Sequence, residues 1–556
     1  MATSPNTGRS TPGGTARKDS AFRVPSFKEF FRRNSRAGTS ENGGARTISL
    51  SDSGSFSVRQ GSFDGEALRI EPALDMDKSR FKLLKMIPAS HQGYMWRKGS
   101  VTSMWRQEPD FFQIKGTVLL QFRKKSGVTS MLSRDTVFSL HRTVELKNCS
   151  VEELDIRNHF AFKLRFILDD DEEKELALDC YSEEHRELWM DALNEASYSL
   201  KITDFLPAAK IGEGEWGNVF VVRKKDRVVR TADERHKLYA IKEIEMSRSS
   251  NVKHIIHERH VLGAVSLHPF VIGLHHSFRH GRYLYFCMDF AAGGDLFSRM
   301  KRAKPTRSEA VLYAAEVLLA LEHLHTHDVV YRDLKPENVL LDADGHVQLA
   351  DMGLAKVLHE GEKTLTFCGT ESYIAPEIIA RQHYRFSVDL WQFGCFVFEL
   401  YCGRSPFWKP RHLRQNLHET ISSGVYKTPS SVPSAARPLI AALLHVDPQK
   451  RLGCGAGTGW GDLKRDAYFE ALDFELLLAN AALPPAPEEG ASDDQAAAAL
   501  RAHLGNFDEC FTALPPEFKG AGKVPSAAAA ALFRDELLGF DLFEMKVYAN
   551  GGGGAP

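Results

Sequence analysis

The residues of this chain best suited to chemistry are Asp333, Asn338 and Asp351, set in Tyr331-Arg332-Asp333-Leu334-Lys335-Pro336-Glu337-Asn338 and Asp351-Met352-Gly353. Phosphoryl transfer asks for one Asp to accept a hydroxyl proton, with an Asn and a second Asp offering hard oxygens to magnesium. The reaction depends on positioning and charge neutralisation more than on covalent catalysis. An isolated Arg-Asp or Asp-x-Gly carries no information, but the two in this order do.

Two further stretches could serve a phosphate. Ile211-Gly212-Glu213-Gly214-Glu215-Trp216-Gly217-Asn218-Val219 sets three glycines between two strand signals, and backbone amides can approach a phosphate where no Cβ intervenes. Taken alone, this run reads equally as a hairpin turn. Ala240-Ile241-Lys242 follows and places a cation on the next strand, while Glu258 in Ile256-His257-Glu258-Arg259 offers it a partner.

The chain that must position these groups has 556 residues, so about three to four folding units are expected. It is 43% hydrophobic and 26% charged with a net charge of −1, and nothing points to nucleic acid. Its eight cysteines lack C-x-x-C spacing, which argues against zinc and against a disulfide framework and suits reduced thiols. Met1 to Gly14 has no apolar core, so no signal peptide is expected. Val388 to Cys402 is apolar but short and carries Asp389, Gln392 and Glu399; it reads as a buried helix.

Residues 1–85 are rich in Ser, Thr, Gly and Arg and read as a disordered tail, basic in its first fifty positions with nine Lys/Arg against three Asp/Glu. Over 86–200 the pattern turns to short alternating strands, among them Val118–Phe122, Val137–Leu140 and Phe160–Leu164. They end in a helix, Ser182 to Ser197, whose Leu188, Trp189, Ala192 and Leu193 form an apolar face. Residues 205–469 pass from strand signals to long helical runs such as Glu309 to Thr326. Residues 470–548 form a tail of few aromatics closing on Phe540-Asp541-Leu542-Phe543, and 549–556 are a flexible Gly-rich end.

These motifs resemble the protein kinases, and more narrowly the AGC group of serine/threonine kinases. Its marks are Tyr331 in place of His, Thr366-Phe367-Cys368-Gly369-Thr370, and a tail ending in Phe-x-x-Phe. Residues 86–200 resemble a pleckstrin homology (PH) domain, opening with Gly93 to Gly99 and Trp105-Arg106. A PH domain ahead of an AGC kinase resembles protein kinase B, as a distant relative. The implied fold is multidomain: a PH-type β-barrel capped by a helix, then a bilobal α+β kinase with its C-terminal tail.

The resemblance implies a basophilic ATP-dependent serine/threonine kinase. Asp333 would accept the substrate proton, Lys335 would stabilise the transferring phosphate, and Asn338 and Asp351 would hold magnesium. Lys242 would bridge the α- and β-phosphates and pair with Glu258. ATP would be enclosed by Ile211, Gly212, Gly214, Gly217, Val219 and Ala240, by the hinge residues Met288, Asp289 and Ala291, and by Asp295 at the ribose. Glu377 of Ala375-Pro376-Glu377 would pair with Arg451, Asp389 would hold the catalytic loop, and Met352 would fill the usual Phe slot beside Tyr331, Leu262 and Leu274. Thr366 would be phosphorylated by an upstream kinase and pair with Arg332. Asp295, Glu337 and Glu419 would face arginines before the phosphoacceptor.

Phe540 and Phe543 would dock on the small lobe, with Glu544 standing where a phosphate normally follows. The tail's Thr-Pro-Pro site has no clear match, since Leu514-Pro515-Pro516 lacks the Thr. In the PH domain, Arg97, Lys98, Arg106 and Lys163 would meet phosphoinositides, with Glu108 where a second Arg is usual. Lipid recruitment and a protein-binding or inhibitory role therefore stand side by side. A cytoplasmic protein with reversible plasma-membrane association is implied. The alternative is a pseudokinase or scaffold, against which Lys242, Asp333, Asn338 and Asp351 all count.

Overall fold

The computed structural model describes residues 69–71, 89–99, 104–124, 137–146, 149–167, 173–197, 200–214, 217–229, 235–246, 249–358, 361–455, 459–481 and 493–519. Phe540, Phe543 and Glu544 lie outside these residues, as do Glu215 and Trp216 of the glycine-rich run.

The first domain is an eight-stranded sheet. Its strands are β1 (Arg69–Glu71), β2 (His91–Arg97), β3 (Asp110–Lys115), β4 (Val118–Lys124), β5 (Val137–Glu145), β6 (Ser150–Ile156), β7 (His159–Ile167) and β8 (Glu173–Cys180), in the order β1-β5-β4-β3-β2-β8-β7-β6. β2 joins the two halves: His91 to Met95 pair with β3, while Trp96 and Arg97 pair with β8. Met95, Phe112, Ile114, Leu164 and Leu178 point to one core, which helix α1 (Glu183–Ser197) closes with Trp189, Ala192, Leu193 and Ala196. Leu188, expected on this apolar face, is instead 48% exposed. At about 3.6 residues per turn the stripe of Trp189, Ala192, Leu193 and Ala196 faces the core, and Leu188 falls about a quarter-turn to its side.

The second domain opens with a five-stranded antiparallel sheet of β9 (Phe205–Gly214), β10 (Gly217–Lys224), β11 (Leu238–Glu245), β12 (Leu274–His280) and β13 (Tyr283–Asp289), in the order β12-β13-β11-β10-β9. Helix α2 (Ser249–Val265) lies between β11 and β12 in the chain. The helical lobe follows, with α3 (Leu296–Arg302), α4 (Arg307–Thr326) and α5 (Ser387–Cys402). A capping box starts α4, in which Thr306 Oγ1 accepts from the Glu309 N–H and Glu309 accepts from the Thr306 N–H. Gly403, at φ 67°, ends α5 in the left-handed conformation that glycine adopts without penalty.

As its composition suggested, α5 is buried almost all round, so its polar residues Asp389, Gln392 and Glu399 must find partners inside the protein. The tail is more structured than its sequence suggested. It forms α6 (Asp493–Leu504) and the short α7 (Glu509–Thr512), and its Phe507 and Phe518 make ring contacts with the kinase-like domain. Among the described residues no helix is long and apolar enough to cross a membrane.

Candidate active site

The Tyr331–Asn338 loop and Asp351 each carry a strained residue, and α5 holds the one in the loop. Arg332 and Asp351 both hold positive φ, at 71° and 56°, a conformation costing a non-glycine residue on the order of 1–3 kcal/mol. Asp389, fully buried, accepts from the N–H groups of Tyr331 (2.8 Å) and Arg332 (2.7 Å) and meets His325 at 2.7 Å. Gln392 accepts from the Leu334 N–H at 3.1 Å and donates to the Arg332 carbonyl at 2.9 Å. The expected Glu377–Arg451 pair is also made, bidentate at 2.7 and 3.0 Å and fully buried. Met352 is buried in the cluster that holds Tyr331, Leu262 and Leu274.

On this frame both carboxylate oxygens of Asp333 are occupied. Thr370 Oγ1 donates to Oδ1 at 2.8 Å, while Lys335 Nζ at 2.6 Å and Asn338 Nδ2 at 2.8 Å donate to Oδ2. Lys335 also donates to Thr370 at 3.0 Å. Asn338 Nδ2 reaches the Asp333 carbonyl as well, at 2.9 Å, so its amide nitrogen is spent and its oxygen is the end left for a cation. A carboxamide oxygen and the Asp351 carboxylate suit magnesium, which takes few protein oxygens and fills its shell with water and phosphate. Among the described residues no cluster of three or more His, Cys, Asp or Glu forms a metal cage.

Lys242 Nζ bonds Glu258 Oε1 at 2.7 Å, which ties β11 to α2. Burial pulls the Lys242 ammonium down, but the carboxylates of Glu258 and Asp351 outweigh it and hold its pKa above the usual lysine value. The glycine-rich hairpin joins β9 to β10. At Gly217, φ 136°, a Cβ would fall 1.9 Å from the Glu243 carbonyl oxygen, so no other residue fits. At the hinge, Asp289 accepts from the Gly273 N–H at 3.0 Å and meets His275 at 2.6 Å. Burial raises the Asp289 pKa, and the bond and charge of His275 more than reverse this, leaving it low. Asp295 caps α3 by accepting from the Ser298 N–H at 2.8 Å.

Thr366 lies beside a small cationic group. Arg332 NH1 reaches the Tyr384 hydroxyl at 3.3 Å, and that hydroxyl donates to the Thr366 carbonyl at 2.6 Å. Lys356 Nζ reaches Thr364 Oγ1 at 3.1 Å, and the two threonine hydroxyls are 3.1 Å apart. Glu337 and Glu419 are exposed. Glu399, read from the sequence only as part of a buried helix, accepts a short hydrogen bond from Tyr373. Burial lifts its pKa to about 7; the Tyr373 bond opposes the rise and the negative charge of Glu337 adds to it.

Sequence reasoning also missed the tail at the hinge. Phe507 stacks on Phe290 with centroids 5.7 Å apart, and Asn506 Nδ2 donates to the Ala292 carbonyl at 2.9 Å. The Phe507–Phe511 pair in an alanine-rich stretch was the available signal.

The PH-like domain gathers its own charges. Asp110 is buried and accepts from Gln121 at 2.5 Å, with Arg123 Nε at 3.6 Å and Arg97 Nε at 3.9 Å. Burial lowers the Arg97 pKa, as do Arg123, Arg106 and Arg142, while Asp110 opposes. Burial and then the charges of Arg123, Arg142 and Arg97 pull His141 down to about 4. Two guanidiniums thus flank one carboxylate, with the charges of Arg106 and Arg142 acting on them, and the Nε atoms of Arg97 and Arg123 have no hydrogen-bond acceptor among the described residues.

The structure places two residues named from the sequence outside this cluster. The carboxylate inside this cluster is Asp110, while Glu108 is exposed. Lys163 lies on β7 and pairs with Glu175 at 3.4 Å, because its neighbours Phe162 and Leu164 take the core face and alternation turns it outward. Lys98 forms a backbone bridge with Trp105.

Comparison with known proteins agrees with this geometry. The protein kinase domain family matches residues 205–460, and the PH domain family matches 89–198. The chain is 31% identical over 407 residues to a RAC family serine/threonine-protein kinase homolog of Dictyostelium discoideum, covering 72% of this chain and 87% of that one. It is 36% identical over 329 residues to the protein kinase C zeta type of Oryctolagus cuniculus, covering 57% of this chain and 53% of the relative. A putative ribosomal protein S6 kinase alpha-1 of Caenorhabditis elegans is 39% identical over 279 residues, 50% of this chain and 34% of the relative. The chain therefore spans only about half, or less, of the length of these last two relatives.

Proposed function

The chain belongs to the AGC group of serine/threonine protein kinases, with a PH domain ahead of the catalytic domain, and on that premise we propose that it transfers the ATP γ-phosphoryl group to Ser or Thr of proteins bearing basic residues upstream of the acceptor. The observation that carries this reading is Asp333, whose two oxygens are fixed by Thr370, Lys335 and Asn338. So held, the carboxylate aligns a substrate hydroxyl and accepts its proton as the bond to phosphorus forms. Lys335 sits within reach of the same centre and offsets charge on the phosphate in flight. Lys242, oriented by Glu258, steadies the nucleotide phosphates, and the glycine-rich hairpin covers them with backbone amides. Magnesium, taken by Asn338 and Asp351, would supply neutralisation of phosphate charge. The scaffold alternative gains no support, because the Lys242–Glu258 pair is made and the Asp333 network is complete.

Preference for basic substrates is supported by Glu337 and Glu399 together. The negative charge of Glu337 adds to the burial that raises the Glu399 pKa, so a cation between the two is favoured, and an arginine upstream of the acceptor would supply it. Asp295 and Glu419 would extend this acidic side. Phosphorylation of Thr366 by an upstream kinase would place a dianion beside Arg332 and Lys356 and order the segment. The PH domain would recruit this cytoplasmic protein reversibly to phosphoinositide membranes through Arg97, Arg106, Arg123 and Arg142.

The test is a positional peptide screen with the full chain, ATP and magnesium, run before and after phosphatase treatment. Selection for Arg three and five residues before Ser or Thr is expected, with turnover falling on dephosphorylation. No upstream selection would reject the acidic-groove reading, and unchanged turnover would reject the Thr366 switch.

A further inference from the structure

The outer face of the five-stranded sheet carries an apolar cluster that is separate from the main core of the catalytic domain. It contains Phe205, Phe220, Tyr239, Ile241, Phe278 and Tyr285. Among the described residues the tail enters this cluster at Phe518. Phe518 packs edge-on against Phe220, with centroids 4.9 Å apart, and against Tyr285 at 6.2 Å. Tyr285 also stacks on Phe278, which stacks on Phe205 at the head of β9.

What lies beneath Phe518 links it to the nucleotide cover. The Tyr285 hydroxyl donates to Glu243 Oε1 at 3.2 Å, and Asn218 Nδ2 donates to Glu243 Oε2 at 3.4 Å. Glu243 is buried and follows Lys242 on β11. Asn218 is buried and follows Gly217, whose α-carbon is pressed against the Glu243 carbonyl. A single side chain, Glu243, thus joins the aromatic face to the returning strand of the glycine-rich hairpin. The tail also reaches the outgoing strand. Glu213 is held low by its bond to Lys210, with burial opposing and Lys519 adding to the effect.

We propose that Phe518 is a positioning residue for nucleotide binding, a constitutive clamp that seats Tyr285 on Glu243 so that Glu243 holds Asn218 and the glycine-rich hairpin over the phosphates. The clamp is made by a phenyl ring and requires no modification of the tail. It rests on the reading of this cleft as an ATP site. Its consequence is specific: loosening the clamp weakens nucleotide affinity while leaving the Asp333 network, and so the chemical step, intact.

The experiment uses the full chain with two variants and one rescue. Phe518→Ala removes the ring, Tyr285→Phe removes only the hydroxyl that reaches Glu243, and Phe518→Tyr restores an aromatic ring. Affinity for a non-hydrolysable ATP analogue is measured by calorimetry, with KM for ATP and kcat on a basic peptide measured separately. Phe518→Ala and Tyr285→Phe should each weaken nucleotide binding and raise KM for ATP about fivefold to tenfold with kcat nearly unchanged, the pattern for lost uniform binding. Phe518→Tyr should recover wild-type affinity. Unchanged analogue affinity in both variants overturns the proposal, as does a fall in kcat without a change in KM. Tyr285→Phe deletes one buried hydroxyl and keeps the ring, so it decides the matter if Phe518→Ala fails to fold. If wild type binds the analogue without phosphorylating any peptide, the kinase reading fails, while the binding arm still judges the clamp.

Discussion

Two regions of this molecule gather basic side chains around a carboxylate, and they do so in opposite ways. In the catalytic centre, Asp333 receives three hydrogen bonds of 2.6–2.8 Å, and the loop that carries it is pinned by the buried Asp389 and Gln392. In the PH domain, Asp110 takes one short bond from Gln121 while the arginines stand 3.6 and 3.9 Å away. The first arrangement fixes atoms to within the tolerance that chemistry requires. The second holds its arginines at longer range, with the Nε atoms of Arg97 and Arg123 lacking an acceptor among the described residues, which would suit exchange of a weak internal counter-ion for a phosphate. Under the proposed function, rigid pairing would serve transfer and loose pairing would serve capture.

The largest expected effect breaks the rigid side. Asp333→Asn and Lys242→Met should each lower peptide phosphorylation by several orders of magnitude, because the base or the phosphate charge partner is gone. Thermal unfolding should show both variants folded, and near-normal turnover in either would falsify the assignment of that centre.

Next comes the frame beneath it. Arg451→Met leaves Glu377 buried without its partner, which should cost about 3–5 kcal/mol by chemical denaturation. A loss under 1 kcal/mol would mean that the pair is not buried in solution.

The loose side should respond in the other direction. Asp110→Asn keeps the bond from Gln121 but removes a charge beside Arg97 and Arg123. Binding to vesicles containing phosphoinositides should tighten about tenfold, as one charge a few ångströms away is worth about 1–4 kcal/mol near a protein surface. Arg123→Ala should weaken binding as much as Arg97→Ala, and Lys163→Ala should have no effect. Equal effects of Lys163→Ala and Arg123→Ala would displace the site to another face.

The smallest effect concerns pH. The Glu399 carboxyl has its pKa raised from 4.5 to about 7, so in the folded protein it is protonated below that value and ionised above it. Folding binds this proton more tightly than the unfolded chain does, so this contribution to stability is present below about 4.5 and lost as pH rises towards 7. Ionisation in turn favours a substrate arginine, and selectivity for basic peptides should rise severalfold from pH 6 to pH 8. In Glu399→Gln the rise should vanish. A rise of equal size in that variant would assign it to another group.

How much of this was legible depended on distance along the chain. Asp333, Lys335 and Asn338 lie within six residues, and a loop that must hold three groups together leaves a local signature. The same is true of Gly212 to Val219. Arg97, Arg106, Arg123 and Arg142 come from β2, the loop after β2, β4 and β5, and no short spacing records that their charges act on one another. The surroundings of Lys163 were hidden for that reason, since only the pairing of β7 with β8 reveals that it turns towards Glu175. Thr370 was legible as part of a motif, but its bond to Asp333 became visible only when the segment folded back on the loop.

The sequence by itself determined the chemistry. Its residue types at short spacing specify phosphoryl transfer, its buried-helix pattern marks α5, and its alternating strands closed by a helix mark the first domain. Tertiary structure alone decided which carboxylate enters the arginine cluster, that Phe518 reaches the five-stranded sheet, and that the charge of Glu337 acts on Glu399. These are contacts between segments far apart in the chain, and they follow from how strands register and helices pack. The types of the residues concerned leave them open, because an exposed Glu108 and a buried Asp110 are the same chemistry until a strand pairing turns one of them inward.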